Sequence, residues 1–125
     1  MDLEAEYNNR ARVPDHPAHL ARWQREAAAF RAAHPPETLR YGAGEREAMD
    51  LFRPAGATDP PGALFLHGGY WQALGREWVS HCAAGLLGRG VAVGVASYDL
   101  CPAVPLAAIC AQAEAAAAAL AARLG

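Results

Sequence analysis

Lysine is absent from this chain; all 11 basic side chains are arginine. Serine is almost absent, present only as Ser80 and Ser97. Charge of either sign is sparse: 19% of residues are charged and the formal net charge is −2. That balance removes the electrostatic case for nucleic acid or an anionic membrane surface as a partner. The 3 cysteines, Cys82, Cys101 and Cys110, are odd in number and fit no zinc spacing. A reduced, cytoplasmic chain without a metal is therefore expected. The start, MDLEAEYNNR, has no basic segment running into an apolar one, so no secretory leader is expected. The apolar tail is mostly alanine and carries Gln112, Glu114 and Arg123, which argues against a membrane span.

What is present is enough for one domain: 125 residues, 53% hydrophobic. Residues 2–33 read as helix in two pieces, broken at VPDHP (13–17) because proline restricts itself and its predecessor. In the second piece, from about 16 to 33, Leu20, Trp23, Ala27 and Phe30 form an apolar stripe with Arg22, Arg25 and Arg31 off it. Two short strands follow, near 38–41 and 47–53, joined by a glycine turn. ALFLH (63–67) reads as a strand and residues 75–88 as a helix carrying Trp78, Cys82, Leu86 and Leu87. VAVGVASY (91–98) reads as a strand covered on both faces. A final helix at 105–124 places Leu106, Ile109, Ala113, Ala117, Leu120 and Leu124 on one face. The strand–helix–strand unit implies a parallel pair.

The chemistry concentrates in LHGGYW, residues 66–71. Glycines after an apolar strand bring backbone N–H groups to the carboxyl edge of a sheet, where open α/β folds bind ligands. Two such donors can stabilise an oxyanion. An ordinary strand-to-helix turn is the plain alternative, and His-Gly-Gly alone would favour it. Elsewhere, DHPAH (15–19) offers His16 and His19 at metal-ligand spacing, but Pro17 lies between them and no third ligand is evident. Solvated histidines at a helix entry are the better reading. Cys101 follows Asp99 and Leu100 just after a strand end, with His67 or His81 as conceivable bases; Cys82 and Cys110 read as small core residues. Tyr98 and Asp99 fit either a pocket floor or loop anchors.

Taken together, YNNRARVPDHPAHLARW, LFLHGGYW and ASYDLCP resemble the N-terminal part of an α/β-hydrolase, in the kynurenine formamidase (arylformamidase)-like branch with its esterase and lipase relatives. The resemblance implies an α/β fold: residues 1–36 as an N-terminal helical segment, and 37–125 as the first part of the sheet and its helices. It implies that the amides of Gly69 and Tyr70 are oxyanion donors, that Gly68 lets the loop turn, that His67 braces the loop, and that Trp71 lines the acyl or aryl pocket. No cofactor is implied. The substrate class is a small ester or aryl formamide.

In such enzymes a serine sits on a Gly-x-Ser-x-Gly turn, followed by an acid and a histidine. Neither Ser80, in EWVSHC, nor Ser97, in GVASYD, lies in that pattern. The expectation is a hydrolase fold interrupted before its nucleophile, inactive alone. It would be completed by a C-terminal segment or would associate with itself. A non-catalytic remnant or interaction module is the alternative.

Overall fold

A computed structural model describes all of residues 1–125. The N-terminus forms three helices: α1 (Leu3–Tyr7), α2 (Asn9–Arg12) and α3 (His16–Ala33). The break within VPDHP is where the sequence places it, and a second one falls at Asn8. There a side-chain oxygen accepts from Ala11 N and starts α2, the usual work of an N-cap asparagine. The stripe on α3 is observed, with Ala27 fully buried and Leu20, Trp23 and Phe30 partly so. Arg31 departs from expectation. It turns inward, donating to the Glu77 carbonyl at 2.8 Å and to Ser80 Oγ at 2.7 Å.

The sheet comprises β1 (Glu37–Arg40), β2 (Ala48–Phe52), β3 (Gly62–Leu66) and β4 (Ala92–Ala96), in the order β1-β2-β4-β3. The β1–β2 and β2–β4 pairs are antiparallel, and β3–β4 is parallel, as the strand–helix–strand unit requires. All five residues of β4 are buried, as its unbroken apolar run implies, and so are all five of β2. The period of two sorts their side chains. Met49, Leu51, Ala92 and Ala96 meet Ala116 and Leu120 of α5 (Leu106–Leu124) on one face. Phe52, Val93 and Val95 meet Val79 and Ala83 on the other, with Phe30 of α3 packed against them. Gly94 lets α5 sit close: a Cβ there would lie 2.9 Å from Met49 Sδ and 3.3 Å from Leu120.

Three expectations need correction. Residues 75–88 are not one helix but two 3₁₀ turns, Arg76–Trp78 and Ser80–Ala83, and a short α4 (Ala84–Leu87). Val79, β-branched and at φ −130°, interrupts the segment, and Gly75, Gly85 and Gly88 weaken it further. Cys82 and Cys110 are exposed, because each falls on the outer side of its element. The buried face of α5 runs through Ile109, Ala116 and Leu120, leaving Leu106 47% exposed. On length and apolarity α5 would suffice to cross a membrane (19 residues, mean hydropathy 1.3), yet here it lies on the sheet.

Strand β3 pairs only with β4, so its other edge is open. Ala63, Leu64 and Phe65 are half-buried and Leu66 is 38% exposed. An apolar groove lined by Leu64, Ala117, Leu120 and Leu124 runs beside that edge. Open, uncharged edges template pairing with another strand. We propose that the isolated chain self-associates through β3. Sedimentation velocity across a concentration series is expected to show growing oligomers, and Leu66→Lys to return the chain towards monomer. A compact monomer at every concentration would refute this.

Candidate active site

The segment after β3 leaves the carboxyl end of the sheet and turns sharply. Gln72 N donates to the Gly69 carbonyl at 3.0 Å, closing a four-residue turn with Tyr70 and Trp71 at its centre. Their φ values are +56° and +61°, preceded by +118° at Gly69 and followed by +71° at Leu74. Such a turn ordinarily takes glycine or asparagine. Bulky side chains held at positive φ store about 1–3 kcal/mol each, strain that gathers at functional sites. The glycine that the turn requires is Gly69. Gly68, expected from sequence to let the loop turn, lies outside the left-handed region and has open space around it. A Cβ on Gly69 would drive into the Ala73 carbonyl oxygen. Gly69→Ala is therefore expected to destabilise the fold by about 2 kcal/mol, and Gly68→Ala hardly at all. Urea titrations of the two variants distinguish them.

Bonds from β4's continuation and from two arginines hold this strained loop. Tyr98 Oη donates to the His67 carbonyl, and Cys101 N donates to the Trp71 carbonyl at 2.7 Å. Arg46 donates from Nε to the Tyr98 carbonyl at 2.7 Å and from Nη2 to the Leu74 carbonyl, tying the two segments together. Arg76 N donates to Ser97 Oγ at 3.0 Å, and Arg76 Nε to Asp50 Oδ1 at 3.1 Å. Thr38 Oγ1 donates to the same carboxylate oxygen at 2.9 Å. Sequence reasoning missed Arg46, Arg76 and Asp50. The available signal was Asp50 itself, on the same face of β2 as Phe52, since a buried carboxylate needs a partner.

With the loop so held, the backbone N–H groups of Gly69 and Tyr70 donate to no acceptor in the chain. Beside them, His67, Gly68, Tyr70, Trp71 and Tyr98 line a cavity of about 240 Å³. The His67 and Tyr98 rings stack in parallel, centroids 4.2 Å apart, and Trp71 leans on Tyr98 at 5.8 Å. Tyr98, 1% exposed, is thus both pocket floor and loop anchor. His67 is 2% exposed, and burial pushes its pKa below the ordinary 6.5. Its Nδ1 lies 2.7 Å from the Gly68 carbonyl, which can only accept, so Nδ1 carries the proton. The ring is neutral, with Nε2 buried and unpartnered.

The other sequence candidates are engaged elsewhere. His19 pairs with Asp15 at 3.1 Å, and His16 Nδ1 contacts the Val13 carbonyl at 3.0 Å. His81 Nε2 faces Glu26 at 3.6 Å. Asp99 is clasped by Gln112, which accepts from its N–H and donates to its Oδ2, both at 2.8 Å. Ser80 is fully buried and donates to the Arg76 carbonyl at 3.2 Å; Ser97 is 2% exposed.

The sheet order, the parallel β3–β4 pair and the glycine turn at the carboxyl edge are of α/β-hydrolase type, and solved structures agree. A candidate thioesterase from Silicibacter sp. TM1040 superposes with a TM-score of 0.90 at 36% identity, over 100% of this chain and 48% of that one. Esterase B from Lactobacillus rhamnosis gives 0.61 at 23% identity, over 88% of this chain and 38% of that one, and shows the fold alone. In sequence, the chain is similar to kynurenine formamidases: 41% identical over 63 residues to that of Salmo salar and 41% over 69 residues to that of Drosophila melanogaster. These matches take in 50% and 54% of this chain, and only 21% and 23% of those proteins. The resemblance read from LHGGYW and its flanks thus stands, and the chain spans about half of the Silicibacter structure. No family model matches it.

Proposed function

We propose that residues 1–125 form the oxyanion-binding part of a serine hydrolase for small carboxylic esters or aryl formamides. One observation carries the reading: the Gly69 and Tyr70 amides, at the carboxyl end of β3, have no acceptor in the chain and lie in a turn with left-handed backbone. In acyl transfer a serine Oγ attacks the carbonyl carbon, its proton passes to a histidine, and the carbonyl π electrons move onto oxygen. Amides fixed in advance stabilise that oxygen without reorganising. The intermediate then expels an alcohol or an arylamine, and water cleaves the acyl-enzyme. Trp71 and Tyr98 would border the acyl group, and His67 keeps the loop in place. The similarity to kynurenine formamidases favours formamides within this class.

On this reading neither Ser80 nor Ser97 is the nucleophile, since both are buried in structural hydrogen bonds. The chain alone is expected neither to react with a fluorophosphonate probe nor to hydrolyse p-nitrophenyl acetate above background. Stoichiometric labelling of Ser80 or Ser97 coupled to turnover would overturn this assignment.

A further inference from the structure

A single side chain hydrogen-bonds to the left-handed segment itself. Residues 69–74 are tied by two backbone bonds, Gln72 N to the Gly69 carbonyl and Cys101 N to the Trp71 carbonyl, and by Arg46 Nη2 on the Leu74 carbonyl. Leu74 is the last of the three bulky residues at positive φ, so a bond there closes the far end of the turn. Arg46 reaches it from the connection between β1 and β2, and its Nε is fixed at 2.7 Å on the Tyr98 carbonyl. One guanidinium thus joins the end of the turn to a residue that lines the cavity beside it.

No carboxylate neutralises this cation. Glu47, next in the chain, turns its carboxylate to the Gly44 N–H at 2.6 Å, and Arg46 forms no ion pair. A half-buried charge without a counterion is costly to desolvate. Its bonds to the two carbonyls offset that cost, since charge-assisted hydrogen bonds are roughly twice as strong as neutral ones. The field of Arg46 reaches the loop as well: burial lowers the His67 pKa, and the Arg46 charge lowers it further. A planar fork suits two carbonyls on separate segments better than a lysine ammonium, a point charge on a flexible stem.

We propose that Arg46 is a positioning residue: its grip on the Leu74 and Tyr98 carbonyls keeps residues 69–74 wound, and with them the free N–H groups of Gly69 and Tyr70 in place. The catalytic consequence rests on the hydrolase reading; the grip on the turn does not, and each has its own measurement. Chymotrypsin cuts after Tyr70 and Trp71, 67% and 45% exposed, when the turn unwinds into its cleft, so the rate follows the open population. Below the concentration of self-association, Arg46→Gln is expected to speed cleavage at these two sites about tenfold, equivalent to about 1.4 kcal/mol. Cleavage after Phe52, 1% exposed and reached through global unfolding, is expected to rise far less. Arg46→Lys, which keeps the charge without the fork, is expected to recover part of the protection. With residues 1–125 replacing the matching part of the Silicibacter chain, Arg46→Gln is expected to lower kcat on p-nitrophenyl acetate about tenfold and leave KM nearly unchanged, because misplaced donors are missed chiefly in the transition state. Unchanged cleavage after Tyr70 and Trp71, or an equal rise after Phe52, would overturn the grip. A loosened turn in a graft that keeps its kcat would overturn the positioning role in catalysis. A graft inactive with Arg46 intact would instead overturn the hydrolase reading, and that role with it.

Discussion

Replacing Asp50 by alanine is expected to cost about 3 kcal/mol of stability and to lower Tm by about 10 °C. The Asp50 carboxylate is 8% exposed and the Arg76 side chain 25%. Breaking a buried pair by removing one partner leaves the other charge uncompensated, a loss of about 3–5 kcal/mol when both are fully buried. Partial access of water to Arg76 places the expected loss at the lower end. Thr38 loses its acceptor as well. The damage should extend past the pair, because Arg76 opens the 3₁₀ turn that follows the strained loop and its N–H is fixed on Ser97. Asp50→Asn keeps an acceptor in place and is expected to cost about half as much. Replacing Asp50 and Arg76 together by apolar residues of similar size should recover most of the loss, as it removes both buried charges. Chemical denaturation of the four chains measures all of this. A loss below about 0.5 kcal/mol for Asp50→Ala, the level of an ordinary surface substitution, would show that the ion pair does not anchor the loop.

The fold was legible where one hydrophobic period dominated. The unbroken run of β4 and the three-and-four spacing on α3 each admit one burial pattern, and both are observed. Residues 75–88 were misread because their apolar spacing satisfies a 3₁₀ turn nearly as well as an α-helix. The difference lies in local glycines and in Val79, and in the pull of Arg31 on Glu77 and Ser80. On α5, alanine gives every face similar apolarity, so the spacing marked Ala117 where the sheet takes Ala116.

At the candidate site, LHGGYW marks the loop but not what holds it. Arg46 lies in a glycine-rich turn, where a cation reads as a solvated side chain. Only the fold brings it to the Leu74 and Tyr98 carbonyls. Nor could the sequence say which glycine bears the left-handed backbone. That it is Gly69 rules out proline as a way to delete its N–H, because proline, fixed near φ −65°, cannot enter a residue at +118°.

The donor role of the loop is tested most directly by deleting one N–H while keeping every side chain and dihedral. Substituting Tyr70 by its α-hydroxy acid counterpart turns the Gly69–Tyr70 amide into an ester, exchanging N–H for an oxygen. The setting is a graft of residues 1–125 in place of the matching 48% of the Silicibacter chain, assayed on p-nitrophenyl acetate. The oxyanion forms chiefly in the transition state, so the loss should fall on kcat and leave KM nearly unchanged. The expected fall in kcat is about 10²–10³-fold, the effect of removing one such donor. An ester-bearing graft that folds and retains the parent kcat would contradict the assignment of this loop as the oxyanion site.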